Sequence, residues 1–113
     1  MNCTKPSKKQ KIKVLIYHVV LPEVWEKFED KKFYEAESLQ TENFIHCSFA
    51  KQLEGVLQRY YKGAREILIL TIETEKLSSK LVNEPSTNEE TYPHIYGQIN
   101  VEAIVKVEKR KLN

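Results

Sequence analysis

The three histidines of the chain, His18, His46 and His94, each lie in an apolar, strand-like segment. His18 closes Val14-Leu15-Ile16-Tyr17, His46 follows Phe44-Ile45, and His94 stands between Pro93 and Ile95-Tyr96-Gly97. Imidazole titrates near neutrality without help, so three copies in apolar, aromatic settings point to a shared pocket. The plainer alternative is three unrelated, half-buried side chains. Zinc accepts three histidines and a water. Here the gaps are 28 and 48 residues, with no close ligand pair. His46 and the adjacent Cys47 would point to opposite faces of a strand. A metal site is therefore the minority reading, and no metal is expected.

Two other chemistries are open to these residues. Cys47 would serve as a nucleophile if a helix began at Ser48 and a histidine approached its thiol. Its neighbours Phe44, Ile45 and Phe49 favour an inert, buried thiol instead. A nucleotide-like ligand suits more of the residues. Ser48-Phe49-Ala50, read as a helix N-terminus, offers free N–H groups to an anion. Tyr17, Tyr34, Tyr92 and Tyr96 offer stacking faces, and His18 and His46 offer hydrogen bonds to ribose or phosphate. Glu84 and Arg59 add charge. Each has a plainer role beside this one. Tyr17, Tyr96 and Trp25 serve equally as core residues, Arg59 as a solvated charge, Glu84 as a strand end, and His94 as a partner for loop backbone. No glycine-rich dinucleotide or P-loop motif occurs, so neither of those nucleotide sites is present.

The elements that must carry these groups follow from the pattern. Lys13 to Val20 reads as a strand buried on both faces. Pro22 opens a short helix whose Val24, Trp25 and Phe28 share a face. Phe33 to Thr41 reads as a connector and Phe44 to Cys47 as a short strand. Ser48 is read as the N-cap of a helix from Phe49 to about Tyr61, with Gly63 as its stop. Glu66 to Glu73 is the clearest strand. Shorter strands are expected at Lys80–Glu84, His94–Gln98 and Ala103–Glu108, with a polar loop from Pro85 to Thr91. This order is not the strict alternation of a doubly wound sheet. It reads as α+β, a mixed or antiparallel sheet with two helices in the N-terminal half.

The chain has 113 residues, 41% hydrophobic and 30% charged, which suits one soluble domain. The expected organisation is a disordered basic tail over 1–12, a single domain over 13–108 and a frayed end over 109–113. No apolar run reaches the roughly 18 residues of a membrane helix, and the lysine-rich start lacks a secretory signal's apolar stretch. A cytoplasmic location is expected, with both cysteines reduced. The formal charge is +2. Lys5, Lys8, Lys9, Lys11 and Lys13 supply it, and the remaining chain is about −3 by count. Nucleic acid would therefore be met, if at all, through the tail rather than the body.

In order, the chain carries Ile16-Tyr17-His18, Trp25, Glu37-Ser38-Leu39, Phe44-Ile45-His46-Cys47-Ser48, Glu84 and Pro93-His94-Ile95-Tyr96-Gly97. Over Lys13 to Val107 this resembles a family of small proteins catalogued as a domain of unknown function, number nine-five-two. Two positions depart from its pattern: Asn43 where glycine is usual, and Gln98 where proline is usual. That family is similar in fold to ADP-ribosyltransferases and to the RNA 2′-phosphotransferase that consumes NAD. The resemblance implies a split, mostly antiparallel sheet with a cleft for NAD or ADP-ribose. By it, His18 matches a ribose-holding histidine, and His46 faces the nicotinamide side. The glutamate that many of those enzymes use to polarise a ribose hydroxyl has no clear counterpart, Glu84 and Glu102 being candidates by type. With Arg59, Arg65 and Arg110 as the only arginines, RNA phosphate transfer is disfavoured.

The resulting expectation is a monomeric protein that binds NAD or an ADP-ribose-like nucleotide. The catalytic candidates are His46 and Glu84. The ligand-binding candidates are Tyr17, His18, Ser48, His94 and Tyr96. Three functions remain open: ADP-ribosyl (glycosyl) transfer or hydrolysis, a non-catalytic binding module, and a Cys47-dependent transferase or hydrolase.

Overall fold

A computed structural model describes residues 13–86 and 89–112. The proposed basic tail over 1–12 lies outside the described residues. The strands are β1 (Leu15–Val20), β2 (Phe33–Tyr34), β3 (Ile45–His46), β4 (Glu66–Glu73), β5 (Lys80–Pro85), β6 (Thr91–Tyr96), β7 (Ile99–Asn100) and β8 (Ile104–Lys111). The helices are short: α1 (Pro22–Trp25), α2 (Glu37–Glu42) and α3 (Leu53–Tyr60). The protein is α+β, and every strand pair is antiparallel.

β4 is central because its sequence is apolar on both faces. Every residue from Ile67 to Glu73 is buried, between β1 and β8 in the order β1-β4-β8. Alternation then divides the core. Leu68, Leu70 and Ile72 join Ile16 and Val20 of β1 on one face, with Trp25, Tyr34, Ile45 and Ile95. Ile67 and Ile69 join Val19 on the other, against Leu53 and Leu57 of α3. Each such buried aliphatic side chain contributes about 1.5–3 kcal/mol. β3-β6-β5 forms a second sheet and β2-β7 a third, smaller one.

β1 is an edge strand, and its free edge positions the site. Tyr17 and Ser48 exchange main-chain hydrogen bonds of 2.8 and 2.7 Å in an isolated bridge. In an antiparallel ladder the next such exchange would join Val19 to His46. It does not form, and the two segments part there.

Several elements differ from the sequence reading. Ser48 caps no helix. Its main chain is held by Tyr17, and its neighbour Phe49 N–H donates to Gln52 Oε1 at 2.9 Å ahead of a 3₁₀ turn over Ala50–Gln52. The free N-terminal amides expected at Ser48-Phe49 are thus already used. α2 and β2 occupy the segment read as a connector. β8 runs on through Lys111, opposite Glu66, where fraying was expected.

Candidate functional site

His18 does the work of the missing ladder bond. Its Nδ1 lies 2.7 Å from the His46 carbonyl, and its Nε2 lies 2.8 Å from Tyr34 Oη. A carbonyl oxygen only accepts, so Nδ1 carries the proton and Nε2 accepts from the Tyr34 hydroxyl. Burial lowers the His18 pKa to about 4, partly countered by the main-chain bond to His46 and reinforced slightly by the charge of His46. The ring is therefore neutral near pH 7. Both nitrogens are occupied, so His18 presents no free nitrogen to a ribose. What it fixes is Tyr34, a buried side chain at the floor of the cleft described below, whose hydroxyl gives its proton to His18 and keeps lone pairs only. Burial, with smaller contributions from Tyr61 and Cys47, raises the Tyr34 pKa, so that hydroxyl stays neutral.

His46 is exposed and stands at the lip. α2 ends at Asn43, which takes the left-handed conformation (φ 76°) and turns the chain sharply into β3. Ser38 Oγ donates to the Phe44 carbonyl at 2.8 Å and pins this corner. The turn sets Glu42 beside His46, with Nε2 3.2 Å from Oε1. The carboxylate accepts, so Nε2 is the donor and a neutral His46 keeps its Nδ1 lone pair.

Behind His46 lies a second cluster. His94, opposite His46 on β6, packs edge-on against it with ring centroids 5.4 Å apart. Phe44 stacks on His94 at 4.0 Å and also touches His46 and Tyr96. Glu84 Oε1 accepts from Tyr96 Oη at 2.6 Å and from His94 Nδ1 at 2.7 Å. These two bonds, Tyr96 foremost, hold the Glu84 carboxyl below its ordinary range. The buried His94 Nε2 has no hydrogen-bond partner.

A cleft of about 680 Å³ runs along the free edge of β1. His18 to Leu21 line it from β1, with Cys47 and Ser48 beside them. Ala36, Glu37, Ser38 and Glu42 come from the α2 side, and Val56, Tyr60 and Tyr61 from the α3 side. Tyr34 and Tyr92 complete the aromatic lining. Arg59 donates to Tyr92 Oη at 2.7 Å and lies over the Tyr60 ring, behind the α3 side. Tyr61 Oη donates to the Val19 carbonyl at 3.3 Å, a group that the broken ladder left free. By the same alternation, Val19 N–H is turned to the open edge.

Of the residues singled out from sequence, His18, His46 and Ser48 share this cleft. Glu84, His94 and Tyr96 form the cluster behind it and reach it only through His46. The Tyr17 side chain packs on the opposite face of β1, against the α3 core, because it neighbours His18 on a strand. Glu102 lies in a 3₁₀ turn before β8, outside the cleft lining. Cys47 touches the cleft but is 3% exposed, and burial pushes its thiol far above the ordinary range, leaving no thiolate for nucleophilic work. Among the described residues no group of three or more His, Cys, Asp or Glu is placed to hold a metal. No helix among them is long and apolar enough to cross a membrane. The sequence reading missed Glu37 and Glu42 as cleft residues, and it took Tyr34 only as a stacking ring. The signal for Glu42 was its spacing of four residues from His46, which acts only because Asn43 makes the turn between them.

A family model described as "Protein of unknown function (DUF952)" matches residues 19–107. Protein CC0527 from Caulobacter crescentus, in its crystal structure, is 23% identical with a TM-score of 0.80, covering 88% of this chain and 89% of that one. A double mutant of CC0527 aligns with the same TM-score and coverage at 22% identity. The solution structure of CC0527 aligns at 23% identity with a TM-score of 0.75, covering 88% and 86%. These likenesses show the fold. No curated protein matches the chain.

Proposed function

The chain belongs to the DUF952 family, and from that premise we propose that it binds NAD or an ADP-ribose-like nucleotide in the cleft along β1, as a cytoplasmic monomer. The observation that carries this is the convergence of His18, His46 and Ser48, with Tyr34, on one open cleft of about 680 Å³. That volume falls within the roughly 300–1,000 Å³ common for small-molecule sites. The motif resemblance to ADP-ribosyltransferases supports the choice of ligand. The Tyr34 hydroxyl, aimed by His18, takes a ribose or amide donor. Glu42, held beside His46, supplies the carboxylate that the sequence could not place.

In the catalytic form of this proposal, water replaces nicotinamide at the ribose carbon and NAD yields ADP-ribose, nicotinamide and a proton. Glu42 accepts a ribose hydroxyl and stabilises the positive charge that develops on the sugar ring. His46, through its Nδ1 lone pair, takes the proton of the attacking water. Glu84 acts at a distance, by bracing His94 behind His46. A binding module without turnover is the second reading, favoured by the exclusion of Glu84 from the cleft and the solvent exposure of Glu42.

Isothermal titration with NAD and ADP-ribose, alongside an assay of nicotinamide release, separates these readings. Binding with release that falls at least about tenfold in Glu42→Gln and His46→Ala supports the enzyme. Binding without release supports the module. Failure of both ligands to bind at millimolar concentration refutes the nucleotide proposal.

A further inference from the structure

The two edges of the β1-β4-β8 sheet differ. The edge of β1 borders the cleft, whereas no strand among the described residues pairs with the outer edge of β8. Leu112 N–H donates to the Arg65 carbonyl at 2.8 Å, one step beyond the pair Glu66–Lys111. Bonded pairs alternate in an antiparallel ladder, so Lys106, Glu108 and Arg110 also turn their main-chain groups to β4. Val107, Lys109 and Lys111 therefore turn theirs outward. The side chains sort by face as well. Lys106 and Glu108 stand opposite Thr71 and Ile69 on the α3 face, where Arg110 reaches Glu54 at 2.7 Å. Val107, opposite Leu70, lies on the other face and is 45% exposed.

We infer that β8 is a pairing surface for a second copy of this chain, joined antiparallel about a two-fold axis at Val107. Outward main-chain groups must meet outward ones, so the axis passes through a residue rather than between two. From Lys106 to Lys111 every residue but Val107 is charged, and an axis at any of those sets like charges against each other. The axis at Val107 brings the two exposed valines together. It also places Lys106 opposite Glu108 of the second copy, twice. Lys106 and Glu108 already approach to 3.7 Å within one chain, so the four charges alternate in sign around the axis. Val105, at the bulge beside Thr71 and Ile72, ends the pairing. The result is a continuous six-stranded sheet with the two clefts at its far edges, each complete within one chain. A single strand pair of this length buries less than the roughly 1,600 Å² of a standard interface, so association is weak and the dilute chain is the monomer of the proposal above.

Sedimentation equilibrium of the full chain from low micromolar to millimolar concentration, read together with amide NMR spectra, tests this. The wild-type chain is expected to form dimers, with concentration-dependent shifts at Val107, Lys109 and Lys111. Lys106→Glu and Glu108→Lys fall at exposed positions and are expected to fold, which the same spectra check. Each alone sets like charges across the axis and should weaken self-association at least about fivefold. An equimolar mixture of the two restores opposite charges at both pairs, as does the Lys106→Glu/Glu108→Lys double variant, and both should recover the association. A wild-type chain that stays monomeric at millimolar concentration overturns the inference. So does association that the single variants leave unchanged, or that the mixture and the double variant fail to recover. No nucleotide enters these measurements, so each outcome leaves the nucleotide reading to its own test.

Discussion

His18 illustrates how one side chain becomes structural by position. It sits where two segments separate, takes the carbonyl that the ladder abandons, and is dried by the core around it. Its type and its apolar context were legible in sequence. Its role was not, because the partners Tyr34 and His46 are 16 and 28 residues away. The pH dependence of stability follows with a definite sign. The unfolded chain protonates His18 near 6.5 and the folded chain near about 4. Between those values the unfolded state binds more protons, so stability falls as pH drops through this window and levels off below it. The loss is ~3 kcal/mol. Urea denaturation from pH 7 to 4 checks this. A His18→Gln variant, although less stable at pH 7, should lack this part of the pH dependence. An unchanged slope in that variant would place the titration elsewhere.

At the level of elements, the long apolar strands were the easiest to read. β4 announces itself through Ile67-Leu68-Ile69-Leu70, and β1 through Leu15 to Val20. The failures were short elements whose stability is tertiary. α2 has six residues and no buried one. Its helical turn is held by Ser38 and by a half-buried Leu39 against the core, and closed by Asn43, without a fully buried apolar stripe. Ser48 has an N-cap's chemistry, yet the bridge to Tyr17 claims it first. Asn43 also explains a departure from the family's usual glycine, since both residues tolerate a left-handed corner. Asn43→Gly should therefore leave stability within a few tenths of a kcal/mol, whereas Asn43→Val should cost about 1–2 kcal/mol. The valine variant should also displace Glu42 from His46, visible as altered His46 ring shifts in NMR spectra.

Across the whole molecule, the site is a consequence of sheets that do not close. The β1-β4-β8 sheet carries α3 on one face and the other sheets on its opposite face, and the edge of β1 remains open between α2 and α3. The α+β class could be read from element order, which left a mixed or an antiparallel sheet open; the antiparallel pairing was implied by the family resemblance. The depth and lining of the cleft could not, because they depend on where β1 parts from the Cys47–Ser48 segment. This arrangement brought His18 and His46 together, as their shared apolar setting suggested, while the pairing of β3 with β6 put His94 behind them. The central claim is that a nucleotide occupies this edge. Amide chemical-shift mapping during titration with NAD tests it most directly. Shifts clustered at His18, Val19, Tyr34, Glu42, His46 and Ser48, saturating with ligand, are the predicted result. A spectrum unchanged at those residues at millimolar NAD would contradict it.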